Sequence, residues 1–271
     1  MCSMASVQLC ETRPNDGGRV EITRDHYDAV LFDLDGVLTS TAEIHADAWK
    51  QMFDDYLRRR AAATGEPFRA FDINTDYRLY VDGRPRYEGV AQFLASRNIH
   101  LPRGTPDSPD TEESVCGLGN FKDRLVHKQI EAGRVKSFPG SVAFLKEVRA
   151  RGLQTAVVTS SRNCTLVLKA AGIDGMFATQ VDGCTIEDDG LAGKPAPDSF
   201  LLAARRLGVA PSRAVVVEDA ISGVQAGRAG NFALVIGVDR HGDADALCQN
   251  GAHVVVNDLG DLLEGTATIA H

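Results

Sequence analysis

The chain has 271 residues, 44% hydrophobic and 24% charged, with a formal net charge of −8. That much apolar chain can bury one large α/β core, with or without a smaller second domain, which excludes disorder as the main state. No run approaches the roughly 20 apolar residues that span a bilayer. The start carries no apolar leader segment, and the negative charge argues against a nucleic-acid or anionic-membrane surface.

Residues 1–26 are polar and predict a loose arm. Ala29-Val30-Leu31-Phe32 is then a short apolar run that ends abruptly at Asp33. Three further runs have this form: Thr155-Ala156-Val157-Val158 before Thr159-Ser160-Ser161, Ala214-Val215-Val216-Val217 before Glu218-Asp219, and Ala233 to Val238 before Asp239. His253 to Asn257 reads as a fifth. Continuous β-branched runs fit strands covered on both faces, as in a parallel sheet. Helical patterns separate them over Ser141–Arg151, Asn163–Ala171, Asp198–Leu207 and Ile221–Ala229, each followed by glycine. The alternation predicts a doubly wound, Rossmann-like α/β core. In such sheets ligands bind beyond the carboxyl ends of the strands.

Between the first strand and the next α/β unit lie about 100 residues of other character. Ile44, Ala48, Met52, Phe53, Tyr56 and Leu57 mark one face of a helix, with Arg58-Arg59-Arg60 as its solvated end. Further helices are expected over Gly89–Ser96 and Asp123–Ala132, with loops over 64–86 and 98–112. The expected organisation is an arm (1–26), a catalytic core (27–42 and 135–271) and an inserted helical cap (43–134). The six cysteines, Cys2, Cys10, Cys116, Cys164, Cys184 and Cys248, are scattered. They predict free thiols in a reducing, cytoplasmic setting, with no zinc site and no disulfide framework.

Four constellations fall at predicted strand ends. Asp33 and Asp35 are close enough to repel unless a cation neutralises them, although an Asp-Gly turn with two solvated acids has the same sequence. Glu218-Asp219 reads either as more oxygen ligands or as an acidic helix start. In Gly193-Lys194-Pro195-Ala196-Pro197-Asp198 the prolines fix φ and Asp198 is a candidate helix cap. Lys194 is therefore either aimed at an anion or simply exposed. Thr159-Ser160-Ser161-Arg162-Asn163 reads as an anion cradle or an ordinary cap.

Taken together and in this order, these motifs resemble the haloacid dehalogenase superfamily of phosphotransferases. The stretch from Phe32 to His45, running on through Ala48-Trp49-Lys50, resembles its β-phosphoglucomutase branch. The resemblance is strong over about 27–50 and 137–240 and weak over 60–120. It implies Mg²⁺ as cofactor, bound by Asp33, Asp219, the Asp35 backbone carbonyl and, close by, Glu218. Asp33 would be the nucleophile and Asp35 the general acid and base. Thr159 and Ser160 would hydrogen-bond the transferring phosphate and Lys194 would balance charge. Gly83 and Arg86 would meet the non-reacting phosphate from the cap, and Ser161, Arg162 and Asn163 would meet it from the core. Thr41 and His45 would orient Asp35 and the hinge. Lys122 and Asp123 fall at sugar-contacting positions, and Trp49 is expected in the cap core.

There are departures from the family pattern. Asp82 stands where a lysine is expected, Thr159 stands for serine, and the cap loops around 60–80 and 100–116 are long. The implied reaction is β-glucose 1-phosphate to glucose 6-phosphate, with a sugar-phosphate phosphatase as the alternative. The implied partner is a small sugar phosphate, without nucleic acid or membrane, on a monomer or weak dimer. A receiver-type signalling module needs neither the cap nor the Gly-Lys-Pro loop. Gly117-Leu118-Gly119 does not complete a dinucleotide-binding fingerprint and follows no strand.

Overall fold

The computed structural model describes residues 7–10, 20–240 and 242–263. The strands are β1 (Val7–Leu9), β2 (Ala29–Phe32), β3 (Gln154–Val158), β4 (Thr179–Val181), β5 (Ala214–Glu218), β6 (Leu234–Val238) and β7 (Val254–Val256). The α-helices are α1 (Thr41–Thr64), α2 (Arg86–Ser96), α3 (Val115–Glu131), α4 (Pro139–Ala150), α5 (Cys164–Ala170), α6 (Gly183–Asp188), α7 (Asp198–Leu207), α8 (Ile221–Ala229) and α9 (Ala244–Gln249). The chain divides into two compact units, one running to Ser40 and resuming at Lys136, the other Thr41–Val135.

The first unit is built on one sheet in the order β1-β7-β6-β5-β2-β3-β4. All pairings are parallel except β1 with β7. Every residue of β2, β5 and β6 is buried, which is why their sequences show continuous apolar runs rather than alternation. From β2 the chain adds β3 and β4 on one side and then β5, β6 and β7 on the other. The order therefore switches at β2, where a doubly wound sheet opens its ligand crevice. Where the chain leaves this unit and returns to it, the Ser40 N–H donates to the Lys136 carbonyl at 2.9 Å and Thr39 pairs with Ser137.

The second unit is helical. Its core is aromatic: Phe53 lies 4.1 Å from Phe93 and 5.0 Å from Phe71 between ring centroids, and Trp49 stacks on Phe53 at 5.4 Å. Trp49 is a core residue, 3% exposed.

Several expectations are corrected. The arm is not loose where it is described: Val7–Leu9 adds an antiparallel edge strand, and Ile22 is buried. Not all cysteines are free, since Cys10 and Cys248 form a disulfide that ties the end of β1 to α9. Scattered spacing in sequence says nothing of partners 238 residues apart. Cys116, Cys164 and Cys184 are free thiols, and Cys2 lies outside the described residues. The expected 64–86 loop contains a π-helical segment, Ile73–Val81, with i→i+5 bonds from Tyr77 to Asp72 and from Asp82 to Tyr77. Helix α3 begins at Val115 rather than Asp123, capped by Ser114 Oγ accepting from the Gly117 N–H at 3.0 Å. The two glycines that follow had hidden its pattern. Asp198 is not a cap: it is the first residue of α7, and its carboxylate instead accepts from the Ala192 N–H. Among the described residues no helix is long and apolar enough to cross a membrane.

Candidate active site

Three neighbouring strand ends supply the site, with β2 between β5 and β3. Asp33 follows β2, Glu218 ends β5 and Thr159 follows β3. Lys194 reaches the same point from the loop before α7. It is 1% exposed, so the solvent-exposed alternative does not hold. Its Nζ donates to Asp33 Oδ1 at 2.6 Å, to Glu218 Oε1 at 2.5 Å and to the Val158 carbonyl at 3.4 Å, with the Phe200 ring beside it. Burial works against this ammonium, but the Asp33 and Glu218 carboxylates outweigh burial and raise its pKa. Lys194 is therefore a fixed positive charge.

Carboxylate oxygens of Asp33, Glu218 and Asp219 lie within 4.8 Å of one another. An all-oxygen set of this kind can hold a hard divalent cation. Glu218 is already committed to the protein, because its Oε2 also accepts from the Asp219 and Ala220 N–H groups at 2.9 Å each. The Asp35 carboxylate is not among these three. Asp35 Oδ2 instead accepts from Thr159 Oγ1 at 3.1 Å, while Thr159 Oγ1 accepts from the Ser161 N–H at 3.0 Å. Burial pushes the Asp33 carboxyl well above the ordinary range against the pull of Lys194, and the charges of Glu218 and Asp35 add to the rise. A cation placed beside Asp33 would favour its ionised form.

Gly36 makes this crowding feasible. Its φ is +92°, and a Cβ there would lie 1.8 Å from Asp219 Oδ2. Arg240, just beyond β6, had no part in the sequence reading. Its Nε donates to the Gly36 carbonyl at 2.8 Å and its guanidinium lies over Phe138, 3.7 Å from the ring centroid. It steadies the turn that carries Asp33, Asp35 and Gly36. Its signal was the apolar run ending at Asp239, one residue earlier.

Other expected residues are placed as follows. Ser161 Oγ accepts from the Asn163 N–H at 3.2 Å, and Arg162 pairs with Glu187 at 2.5 Å. Ser160, beside them, is half-buried. In the helical unit Thr41 and His45 are buried on α1, and Lys122 Nζ lies 2.5 Å from His45 Nδ1 and above the Trp49 ring. Gly83 has φ +68° in the turn before α2. Arg86 opens α2, whose N-terminus has no side-chain cap. Its Nη1 lies 2.8 Å from Asp123 Oδ1.

A family model described as haloacid dehalogenase-like hydrolase matches residues 27–231. The chain is 53% identical over 238 residues to β-phosphoglucomutase of Mycobacterium tuberculosis, covering 87% of this chain and 91% of that one. It is 29% identical to the phosphorylated carbohydrates phosphatase of Thermotoga maritima, covering 84% and 94%. It also resembles the crystal structure of β-phosphoglucomutase from Clostridium difficile, with a TM-score of 0.67, 26% identity and coverage of 87% and 93%.

Proposed function

Because the chain belongs to the haloacid dehalogenase-like hydrolase family, we propose that it is a Mg²⁺-dependent phosphoglucomutase converting β-glucose 1-phosphate to glucose 6-phosphate. The observation that carries this reading is the 53% identity to a β-phosphoglucomutase across nearly the whole chain. Within it, phosphorylated Asp33 gives its phosphoryl group to a sugar hydroxyl while Asp35 takes that hydroxyl's proton, which makes a bisphosphate. The bisphosphate turns round in the site, Asp33 attacks its other phosphorus, and Asp35 returns the proton to the departing sugar oxygen, so that product leaves and the aspartyl phosphate is regenerated. Thr159, which already donates to Asp35, holds that carboxyl in place, and Thr159 and Ser160 meet the phosphoryl oxygens. Lys194 carries fixed positive charge beside Asp33 throughout.

Asp33, Asp219 and the Asp35 carbonyl would hold the Mg²⁺, with Glu218 behind them. The donor set suits it: three carboxylates whose oxygens lie within 4.8 Å of one another, with hard oxygens as ligands. When bound, the ion supplies charge neutralisation at the transferring phosphoryl group and favours ionised Asp33. Gly36→Ala is expected to raise the Mg²⁺ needed for half-maximal activity about tenfold, as outer-sphere changes at metal sites do. A metal titration of the activity checks this.

The helical unit acts as the cap of this enzyme, with Arg86 taking the phosphate that is not reacting. A guanidinium at an uncapped helix N-terminus favours an anion twice over. Arg86→Ala should lower kcat/KM for β-glucose 1-phosphate about 100-fold, the worth of hydrogen bonds to a charged group. Hydrolysis of p-nitrophenyl phosphate should stay within about twofold, since its one phosphate is the reacting one, whereas the mutase reaction passes through a bisphosphate whose other phosphate Arg86 anchors. Equal losses would make Arg86 structural.

The second reading is a sugar-phosphate phosphatase, favoured by the similarity to the Thermotoga maritima phosphatase and by Asp82 in place of the expected lysine. Phosphorus NMR of the enzyme with β-glucose 1-phosphate and Mg²⁺ separates the two. Glucose 6-phosphate is the expected product. Inorganic phosphate without it assigns the phosphatase.

A further inference from the structure

Gly117-Leu118-Gly119 has no place in the phosphoryl chemistry. Yet glycine in a helix costs about 1 kcal/mol relative to alanine, and two of them open α3. Each clears a close neighbour. A Cβ on Gly117 would lie 2.2 Å from the Glu112 carbonyl oxygen, so the 105–114 loop rests directly on the helix. A Cβ on Gly119 would lie 2.7 Å from Tyr87 Cδ1 and 3.1 Å from Arg86 Cγ. Alanine at that position would drive the aromatic ring and the arginine stem away.

The next residue, Asn120, joins the loop to the ring. Its Nδ2 donates to the Pro106 and Ser108 carbonyls at 2.9 and 2.8 Å. Those two bonds use both amide protons and turn Oδ1 toward Tyr87, whose hydroxyl donates to it at 2.8 Å. A phenol has one proton. With that proton given to Asn120, the hydroxyl oxygen accepts from Arg86 Nη2 at 3.2 Å. The guanidinium also lies over the Tyr87 ring, 4.9 Å from its centroid. Arg86 is thus gripped at Nη2 and along its stem. Its buried Nε and Nη1 hydrogen-bond to no atom among the described residues, the Asp123 contact being an ion pair without hydrogen-bond geometry.

We infer that Tyr87, seated by Gly119 and Asn120, is a positioning residue that aims Arg86 at the non-reacting phosphate of the substrate, and that the 105–114 loop sets its place through Asn120. The inference rests on the proposed role of Arg86. Tyr87→Phe is expected to raise KM for β-glucose 1-phosphate about tenfold, the worth of one hydrogen bond, with kcat and p-nitrophenyl phosphate hydrolysis unchanged. Asn120→Ala should give the same split. In an Arg86→Ala background Tyr87→Phe should add nothing, because its only path to substrate is gone. Equal loss on both substrates, or full additivity in the double variant, overturns the inference. If Arg86→Ala shows the substrate-specific loss and Tyr87→Phe does not, this inference alone fails. If Arg86→Ala shows no such loss, the reading of Arg86 fails with it.

Discussion

Asp33→Asn should leave the protein folded and remove phosphoryl transfer, with kcat falling on the order of 10⁵-fold or more, as for other lost nucleophiles. The amide fills the same space at the end of β2 and can still accept from Lys194. What it lacks is the anionic oxygen that bonds to phosphorus. The loss should be the same for β-glucose 1-phosphate and for p-nitrophenyl phosphate, in contrast to Arg86→Ala, because Asp33 acts on the reacting phosphate of either substrate. The unfolding midpoint should move little, since the exchange also relieves repulsion among Asp33, Asp35 and Glu218. Circular dichroism and steady-state rates on the same sample check both halves. Turnover near the wild-type rate would remove Asp33 from the nucleophile position.

Lys194→Met should damage both stability and rate. The ammonium is 1% exposed and donates to two carboxylates at 2.6 and 2.5 Å. Removing it leaves Asp33 and Glu218 buried without their counter-charge, which costs about 3–5 kcal/mol when one partner of a buried ionic pair is lost. Stability in the variant should then recover as pH falls, because protonating a carboxyl removes the unpaired charge. The sign follows from the folded state: burial already holds the Asp33 carboxyl pKa above its unfolded value against the pull of Lys194, and losing Lys194 raises it further. The folded state then binds protons more readily, and stability is lost as pH rises through that pKa. The rate should fall at least 10³-fold, since a preorganised positive charge at the transferring group is gone. Urea denaturation at several pH values and single-turnover kinetics measure these effects. A variant as stable as the wild type at neutral pH would mean that Lys194 is not the charge that holds the cluster together.

How far the sequence reveals this molecule follows from burial. The central strands β2, β3, β5 and β6 are covered on both faces, so each reads as an apolar run, and the chemistry begins where each run stops. Asp33, Thr159, Glu218 and Asp219 were legible for that reason. Lys194 was legible as a residue of interest but not as a buried one, because no local pattern distinguishes an exposed lysine from one drawn inward by two distant carboxylates. Edge strands β1 and β4 are only partly covered and leave no run. Arg240 holds the Gly36 turn across more than 200 residues of sequence, and the Cys10–Cys248 disulfide spans a similar interval. Neither has a local signature. In the helical unit the glycines of α3 masked a helix whose glycines are there for packing, and the π-helical turn at Ile73–Val81 has no simple period to recognise.

The most direct measurement is to react the enzyme with phosphate-labelled β-glucose 1-phosphate in Mg²⁺, quench in acid within one turnover, and map the peptides by mass. One phosphoryl group is expected on the peptide that carries Asp33, absent from Asp33→Asn and formed no more slowly than product appears. Product formed in that turnover with no label on the protein, or with the label on another residue, would contradict the account.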